Sequence, residues 1–260
     1  MSDILEELSA ARRSDAAARE AKIPFQEMLD RAELAPPPRD FAAAFATSGA
    51  PRVIAELKKA SPSEGTIRED FSPAKLAAEL SKAGAAALSV LCEPHRFLGS
   101  EEYLRAAREV VDIPILYKDF LTTRYQIAAA RAAGADAVLL IAAVLDDPSL
   151  ADLIEFARGF GMEALVETHC ESEIVRAAGA GARIVGVNCR NLRDFSTDVS
   201  LLERLVGEIP RPCLRIAESG MHSAGAIARA KAAGADGFLV GTALMRAAHP
   251  GGKLKELTGN

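Results

Sequence analysis

Four stretches of this chain repeat one another: SKAGAAALSVL (81–91), RAAGADAVLLI (131–141), RAAGAGARIVGV (176–187) and KAAGADGFLVG (231–241). Each reads as the basic end of an Ala-rich helix, then a glycine, then an apolar strand. Alanine favours helix. Glycine takes the left-handed conformation that ends one, a role expected of Gly84, Gly134, Gly179 and Gly234. A continuous run such as VLLI suits a parallel strand buried on both faces. The four units recur at roughly 50-residue intervals, as in a repeat architecture. Other short apolar runs lie between them: RVIAEL (52–57), IPILYK (113–118), MEALVE (162–167) and CLRIAE (213–218). Interleaving predicts eight strands, near 53–57, 86–91, 113–117, 136–142, 163–167, 183–188, 213–217 and 236–241. Helical patterns such as PAKLAAELSKAG and TRYQIAAARAAG fill the gaps. The expected fold is an α/β chain closed into a (β/α)8 barrel of the TIM type. An open doubly wound sheet is the alternative. It rarely needs eight even strands, and no G-x-G-x-x-G follows the first strand.

Residues 1–50 are expected to form an N-terminal helical extension packed on a barrel of 51–260, together one domain over 1–260. DILEELSAARRSDAAAREAK is amphipathic, PPPRD (36–40) breaks it, and FAAAFATSG suggests another short helix. The net charge of -5, from 31 basic and 36 acidic residues, argues against sequence-independent binding of nucleic acid. No apolar run approaches the ~20 residues that span a bilayer, so no membrane association is expected. The start lacks a secretory pattern, and Asp3, Glu6, Glu7, Asp15 and Glu20 count against a transit peptide. Cys92, Cys170, Cys189 and Cys213 are widely spaced with no C-x-x-C. They read as buried thiols of a reduced, cytoplasmic protein.

Barrel chemistry is carried at the C-terminal ends of the strands. Strand 1 ends in Glu56 and Lys58, strand 3 in Lys118 and Asp119, and strand 5 in Glu167. Strand 6 ends in Asn188 and Arg190, strand 7 in Glu218, Ser219 and Gly220, strand 8 in Gly241 and Thr242. Two ammonium groups, several carboxylates and an amide thus converge on one rim. Burying such charges costs several kcal/mol each unless they are paired. Ser219-Gly220 and Gly241-Thr242 fall in the loops that bind phosphate in this fold, and Ser61 adds a third donor. His169 reads as a solvated or capping group. His95, His222 and His249 show no metal spacing, and no metal site is expected. Asp119 is expected to pair with Lys118, and the charge runs at 6–7, 12–13 and 101–102 to be wet helix faces.

At AELKKASPSEG (55–65) the chain resembles the indole-3-glycerol-phosphate synthase family. The likeness continues through LSVLCEPHRFLGS (88–100), IPILYKDF (113–120), ALVETH (164–169), VGVNCRNL (185–192), IAESGM (216–221) and GFLVGTALM (237–245). It implies ring closure, with decarboxylation and dehydration, of 1-(2-carboxyphenylamino)-1-deoxyribulose 5-phosphate to indole-3-glycerol phosphate. No cofactor is implied. The resemblance makes Lys118 the candidate general acid for ring closure and Lys58 the partner of the anthranilate carboxylate, with a share for Lys58 in the later dehydration, and it leaves open which lysine serves which step. Glu167 becomes a base or acid during loss of water. Glu56 and Asn188 position these groups, and Glu218, Ser219 and Arg190 complete the rim. Phosphate would lie on Ser61, Gly220, Gly241 and Thr242. The aromatic ring would lie against Phe97, Phe120 and Leu140. Mutual approach of Lys58 and Lys118 is expected to lower a lysine pKa. Two other readings stay open: a Schiff-base aldolase or sugar-phosphate isomerase using Lys118, and a non-catalytic phosphate-binding barrel. The partners left open are a monomer's small-molecule substrate alone or further tryptophan-pathway enzymes.

Overall fold

The computed structural model describes residues 3–46, 49–190 and 198–259. Two helices come first, α1 (Asp3–Glu20) and α2 (Phe25–Leu34). Eight barrel strands follow, β1 (Val53–Leu57), β2 (Ala87–Leu91), β3 (Ile115–Lys118), β4 (Ala137–Ile141), β5 (Glu163–Thr168), β6 (Ile184–Val187), β7 (Leu214–Ala217) and β8 (Gly237–Val240), with a small hairpin of Ala60–Ser61 and Gly65–Thr66 after the first. Each barrel strand pairs in parallel with the next, and β8 closes on β1 with Val53 opposite Phe238. This is the closed (β/α)8 barrel, and the open sheet is excluded. The outer helices include α3 (Pro73–Lys82), α4 (Glu101–Arg108), α5 (Arg124–Ala132), α6 (Asp147–Gly159), α7 (Glu171–Gly179), α8 (Val199–Glu208) and α9 (Ala224–Ala232). The short α10 (Thr242–Met245) and α11 (Pro250–Thr258) end the chain's helical part. Among the described residues no helix is long and apolar enough to cross a membrane.

Local chemistry sets the helix ends. Thr123 and Gln126 form a reciprocal capping box at the start of α5, and Ser223 accepts the Ala226 N–H at the start of α9. At the far ends, Gly84, Gly134 and Gly234 adopt φ of 96°, 95° and 102°, as expected of helix stops. In the third repeat the stop is Gly181 (φ 85°), whereas Gly179 is still helical. The reason is a shared closing bond. Ala182 donates to Ala177 O at 3.1 Å, just as Ala135 donates to Ala130 O. The N-terminal reading also needs correction. The helix already ends before Pro24, so the stretch up to the prolines holds two helices, not one. Among the described residues of FAAAFATSG there is a single 3-10 turn, Ala43–Phe45.

Alternation along the strands divides the core in two. Val53, Ala55, Val90, Tyr117, Val138 and Leu140 face the helices. Ile54, Leu116, Leu139, Leu165, Ile216 and Leu239 fill the barrel interior. Each such fully buried side chain contributes about 1.5–3 kcal/mol. Phe41 and Phe45, with ring centroids 5.4 Å apart, plug the base. A Cβ at Gly237 would lie 2.7 Å from the Phe45 ring, so glycine makes room for the plug. Asp136 ties the plug's linker down, accepting the Arg39 N–H at 2.8 Å and the Ile115 N–H at 2.7 Å beside Arg108.

Helix α1 covers the opposite end. Arg12 forks onto Asp119 with contacts of 2.7 to 3.0 Å, and Arg19 reaches Glu101 at 2.5 Å. Arg96 pairs with Glu7 at 2.8 Å. Asp119 therefore pairs with Arg12 and not with Lys118. Arg12 and Glu101 are not wet faces either, because α1 lies across this rim, with Arg12 meeting Asp119, 107 residues on, and Glu101 meeting Arg19, 82 residues back. Cys92, Cys189 and Cys213 are buried as expected. Cys170 is exposed, because it occupies the N-cap of α7 outside the core.

Candidate active site

The inward parity that fills the barrel with Ile54 and Leu116 brings Glu56, Lys58 and Lys118 to the same interior at its upper end. Glu167, Asn188, Glu218 and Gly241 follow by the same rule. They surround a cavity of about 450 Å³, a size suited to a small ligand. Arg190, Ser219, Gly220, Thr242, Ser61, Phe97 and Phe120 line it as well. Of the residues singled out in the sequence, Leu140 alone is misplaced. It faces the helices, fully buried, because its odd step along β4 points outward. Leu139 and Ile141 take the wall position instead. Asn191 and Leu192 of the VGVNCRNL motif lie outside the described residues.

Charge pairing organises the cavity floor. Lys118 Nζ stands 3.1 Å from Glu218 Oε2 and 3.4 Å from Glu167 Oε2. Lys58 Nζ stands 2.9 Å from Glu56 Oε2. Burial by itself would lower the pKa of Lys118, but Glu218, Glu167 and Glu56 raise it well above its ordinary value. The expectation of a lysine with depressed pKa therefore fails at Lys118, because carboxylates, and not the other ammonium, are its near neighbours. Burial would raise Glu167, yet Lys118 and His169 hold it below the usual carboxylate range. Glu218 moves the other way, pushed up by burial and by the nearby Glu167, against the pull of Lys118. Two adjoining carboxyl groups thus differ sharply in proton affinity, the pattern that separates acid from base roles. Burial opposes the charge on Glu56 too, but Lys58 and Lys118 keep its pKa low.

The two ends of the cavity differ in chemistry. At one, Phe97 and Phe120 stand 6.4 Å apart and tilted, with Leu139, Ile141 and the α1 residues Leu5 and Leu8 beside them. At the other, Ser61, Ser63, Gly220, Gly241, Thr242 and Arg246 gather. Thr242 Oγ1 is buried there without a hydrogen-bond partner among the described residues, an acceptor and donor left for a ligand. Ser219 Oγ accepts the Cys189 N–H at 2.9 Å, and Asn188 Oδ1 accepts the Arg190 N–H at 3.2 Å, so the rim loops brace one another.

Three features escaped the sequence reading. Gly186 sits mid-strand on β6, where a Cβ would overlap the Glu218 carboxylate, and a Cβ at Gly241 would overlap that of Glu56. A glycine inside an apolar parallel strand was the available signal for a close approach. The α1 roof gave no signal, since Leu5 and Leu8 read as one face of an ordinary amphipathic helix. His169 is not a solvated group. It is largely buried between Glu167 and Glu173, because α7 turns back over the end of β5.

A barrel whose interior charges meet at the C-terminal rim, between an apolar wall and a polar end, is a TIM-barrel enzyme. A family model described as indole-3-glycerol phosphate synthase matches residues 5–257. The chain belongs to the indole-3-glycerol phosphate synthase family. It is 44% identical to the indole-3-glycerol phosphate synthase of Acidithiobacillus ferrooxidans over 260 residues, 99% of each chain. It is 45% identical to that of Roseiflexus sp. strain RS-1 over 268 residues, 100% of this chain and 99% of the other. Among solved structures, 3-hexulose-6-phosphate synthase from Salmonella typhimurium superposes with a TM-score of 0.65 at 16% identity, covering 80% of this chain and 97% of the other. The tryptophan synthase alpha-subunit from Pyrococcus furiosus gives 0.60 at 18% identity, covering 80% and 98%. These two likenesses concern the fold alone.

Proposed function

We propose that this chain is a cytoplasmic carboxy-lyase of tryptophan biosynthesis. It converts 1-(2-carboxyphenylamino)-1-deoxyribulose 5-phosphate to indole-3-glycerol phosphate, carbon dioxide and water. The observation that carries this reading is Lys118, an ammonium held charged between Glu218 and Glu167 and facing a cavity with one apolar and one polar end. The phosphate occupies the Ser61, Gly220, Gly241 and Thr242 end, and the aromatic ring lies against Phe97, Phe120, Leu139 and Ile141. Lys58 meets the ring carboxylate. As the carboxyl-bearing ring carbon bonds to the ketone carbon, Lys118 gives its proton to the ketone oxygen. Aromaticity is lost in that step, so a proton and a positive field at the oxygen lower its barrier together. Loss of carbon dioxide restores the ring. The new hydroxyl then takes a proton from Lys58 and leaves as water, while Glu167 accepts the proton that the adjoining carbon gives up as the double bond forms. Glu56, Asn188, Arg190, Glu218 and Ser219 hold these groups in register.

Adding the carboxyphenylamino-deoxyribulose phosphate is expected to produce the fluorescence of the indole product. A flat trace at high enzyme concentration would sink the assignment. The aldolase alternative needs a neutral amine, and the carboxylates around Lys118 favour the ammonium. Borohydride is accordingly expected to trap no substrate on the chain.

Gly186→Ala offers a further check. The added methyl displaces the Glu218 carboxylate from its place beside Lys118. Misplacing a site group by about 1 Å can cost about 100-fold in rate, which is the expected loss of kcat. Circular dichroism should report an intact barrel. Unchanged kcat in a folded variant would mean that the Glu218 position is immaterial.

A further inference from the structure

His169 follows β5 directly, and its ring stands between two carboxylates. Nε2 lies 3.3 Å from Glu167 Oε1, and Nδ1 lies 3.2 Å from Glu173 Oε2 on α7. Glu173 Oε2 also accepts the His169 backbone N–H at 2.8 Å, which fixes that carboxylate from the main chain. Nε2 is buried without an aligned hydrogen bond, and the atom it faces is Glu167 Oε1. An imidazole flanked by two carboxylates is favoured as the cation, a donor at both nitrogens. Burial opposes that charge, but Glu167 and Glu173 raise the His169 pKa to about 10. The other oxygen of Glu167, Oε2, faces Lys118 from β3. Glu218, just after β7, is the adjoining carboxyl, and its raised pKa makes it the protonated member of the pair, which donates to Glu167. Each oxygen of Glu167 therefore has its own cation. His169 does not line the cavity.

We propose, resting on the lyase reading above, that His169 anchored by Glu173 is a positioning residue, which fixes the Glu167 carboxylate and keeps it ionised for the proton transfer that accompanies loss of water. A cation at this range lowers a carboxyl pKa by about 1–3 units, and a second anchor removes the freedom of the side chain to turn away.

The test compares the full chain with His169→Ala, His169→Gln and Glu173→Gln, reading kcat, KM, the pH profile of kcat and thermal stability. In His169→Ala, kcat is expected to fall about 10-fold or more, within the range one proton-transfer group contributes. KM is expected to move by less than about 2-fold, since no substrate contact is lost. The acid limb of kcat is expected to move up by about one pH unit or more, because Glu167 loses a neighbouring cation. His169→Gln keeps a donor without the charge, so it should restore part of kcat but leave the acid limb displaced. Glu173→Gln should shift the limb in the same direction by less. An unmoved acid limb in His169→Ala would overturn the proposal, whether kcat is unchanged or falls together with thermal stability. A wild-type chain forming no product from the carboxyphenylamino-deoxyribulose phosphate would overturn the lyase reading itself, and the inference with it.

Discussion

Replacing Lys118 by alanine is expected to lower kcat by about 10³-fold or more while the chain still folds. The main part of this loss comes from the general acid, which contributes about 10²–10⁴-fold on its own. A second effect adds to it. Lys118 is the ammonium shared by Glu167 and Glu218, and without it two buried carboxyl groups face one another. Glu218, already raised, then holds its proton more firmly, and Glu167 loses the nearest cation that keeps it ionised, so the base is weakened together with loss of the acid itself. The measurement is product fluorescence under single-turnover conditions, which separates chemistry from product release. Substrate affinity should change far less than rate, because the apolar wall and the phosphate end are untouched. Turnover within about 10-fold of wild type would remove Lys118 from the chemistry and raise the standing of a non-enzymatic barrel.

Arg12→Ala is expected to destabilise the chain by about 3–5 kcal/mol, as breaking a buried ion pair on one side commonly does. The Asp119 side chain is fully shielded from water, and Arg12 approaches it through both Nε and Nη2. Burial already raises the Asp119 pKa, and Arg12 is what offsets that push. Truncating Arg12 leaves a carboxyl that must either stay charged without a partner or bind a proton. Urea unfolding of Arg12→Ala, Asp119→Ala and the double variant measures the pair. The double variant should be markedly more stable than the sum of the single losses implies. Strict additivity would mean that the two side chains do not support one another. The same substitution loosens α1, whose Leu5 and Leu8 roof the cavity, so KM is expected to rise as well.

Much of this molecule was legible along the chain because the signals were local. Helix-ending glycines and continuous apolar runs located all eight strands to within a few residues, since both act over single turns of backbone. Charged and amide side chains at the ends of those runs then marked the rim, because barrel geometry carries strand ends to one side. What stayed hidden depended on facing and on distance along the chain. Leu139 and Leu140 are equally apolar, and a step of one along β4 decides which of them meets the cavity. Asp119 has Lys118 beside it in sequence, yet consecutive strand residues point oppositely, and its partner arrives from α1.

The amino-acid order by itself therefore determined the count and direction of the strands, the closure into a barrel and the chemical types gathered at its mouth. Only the tertiary structure decided which ammonium meets which carboxylate, that Gly186 yields space to Glu218, and that His169 is enclosed beside Glu167. The physical reason is range. Turns and apolar runs are governed by neighbours a few residues away, whereas a buried charge answers to whatever the closed barrel brings within a few ångströms of it.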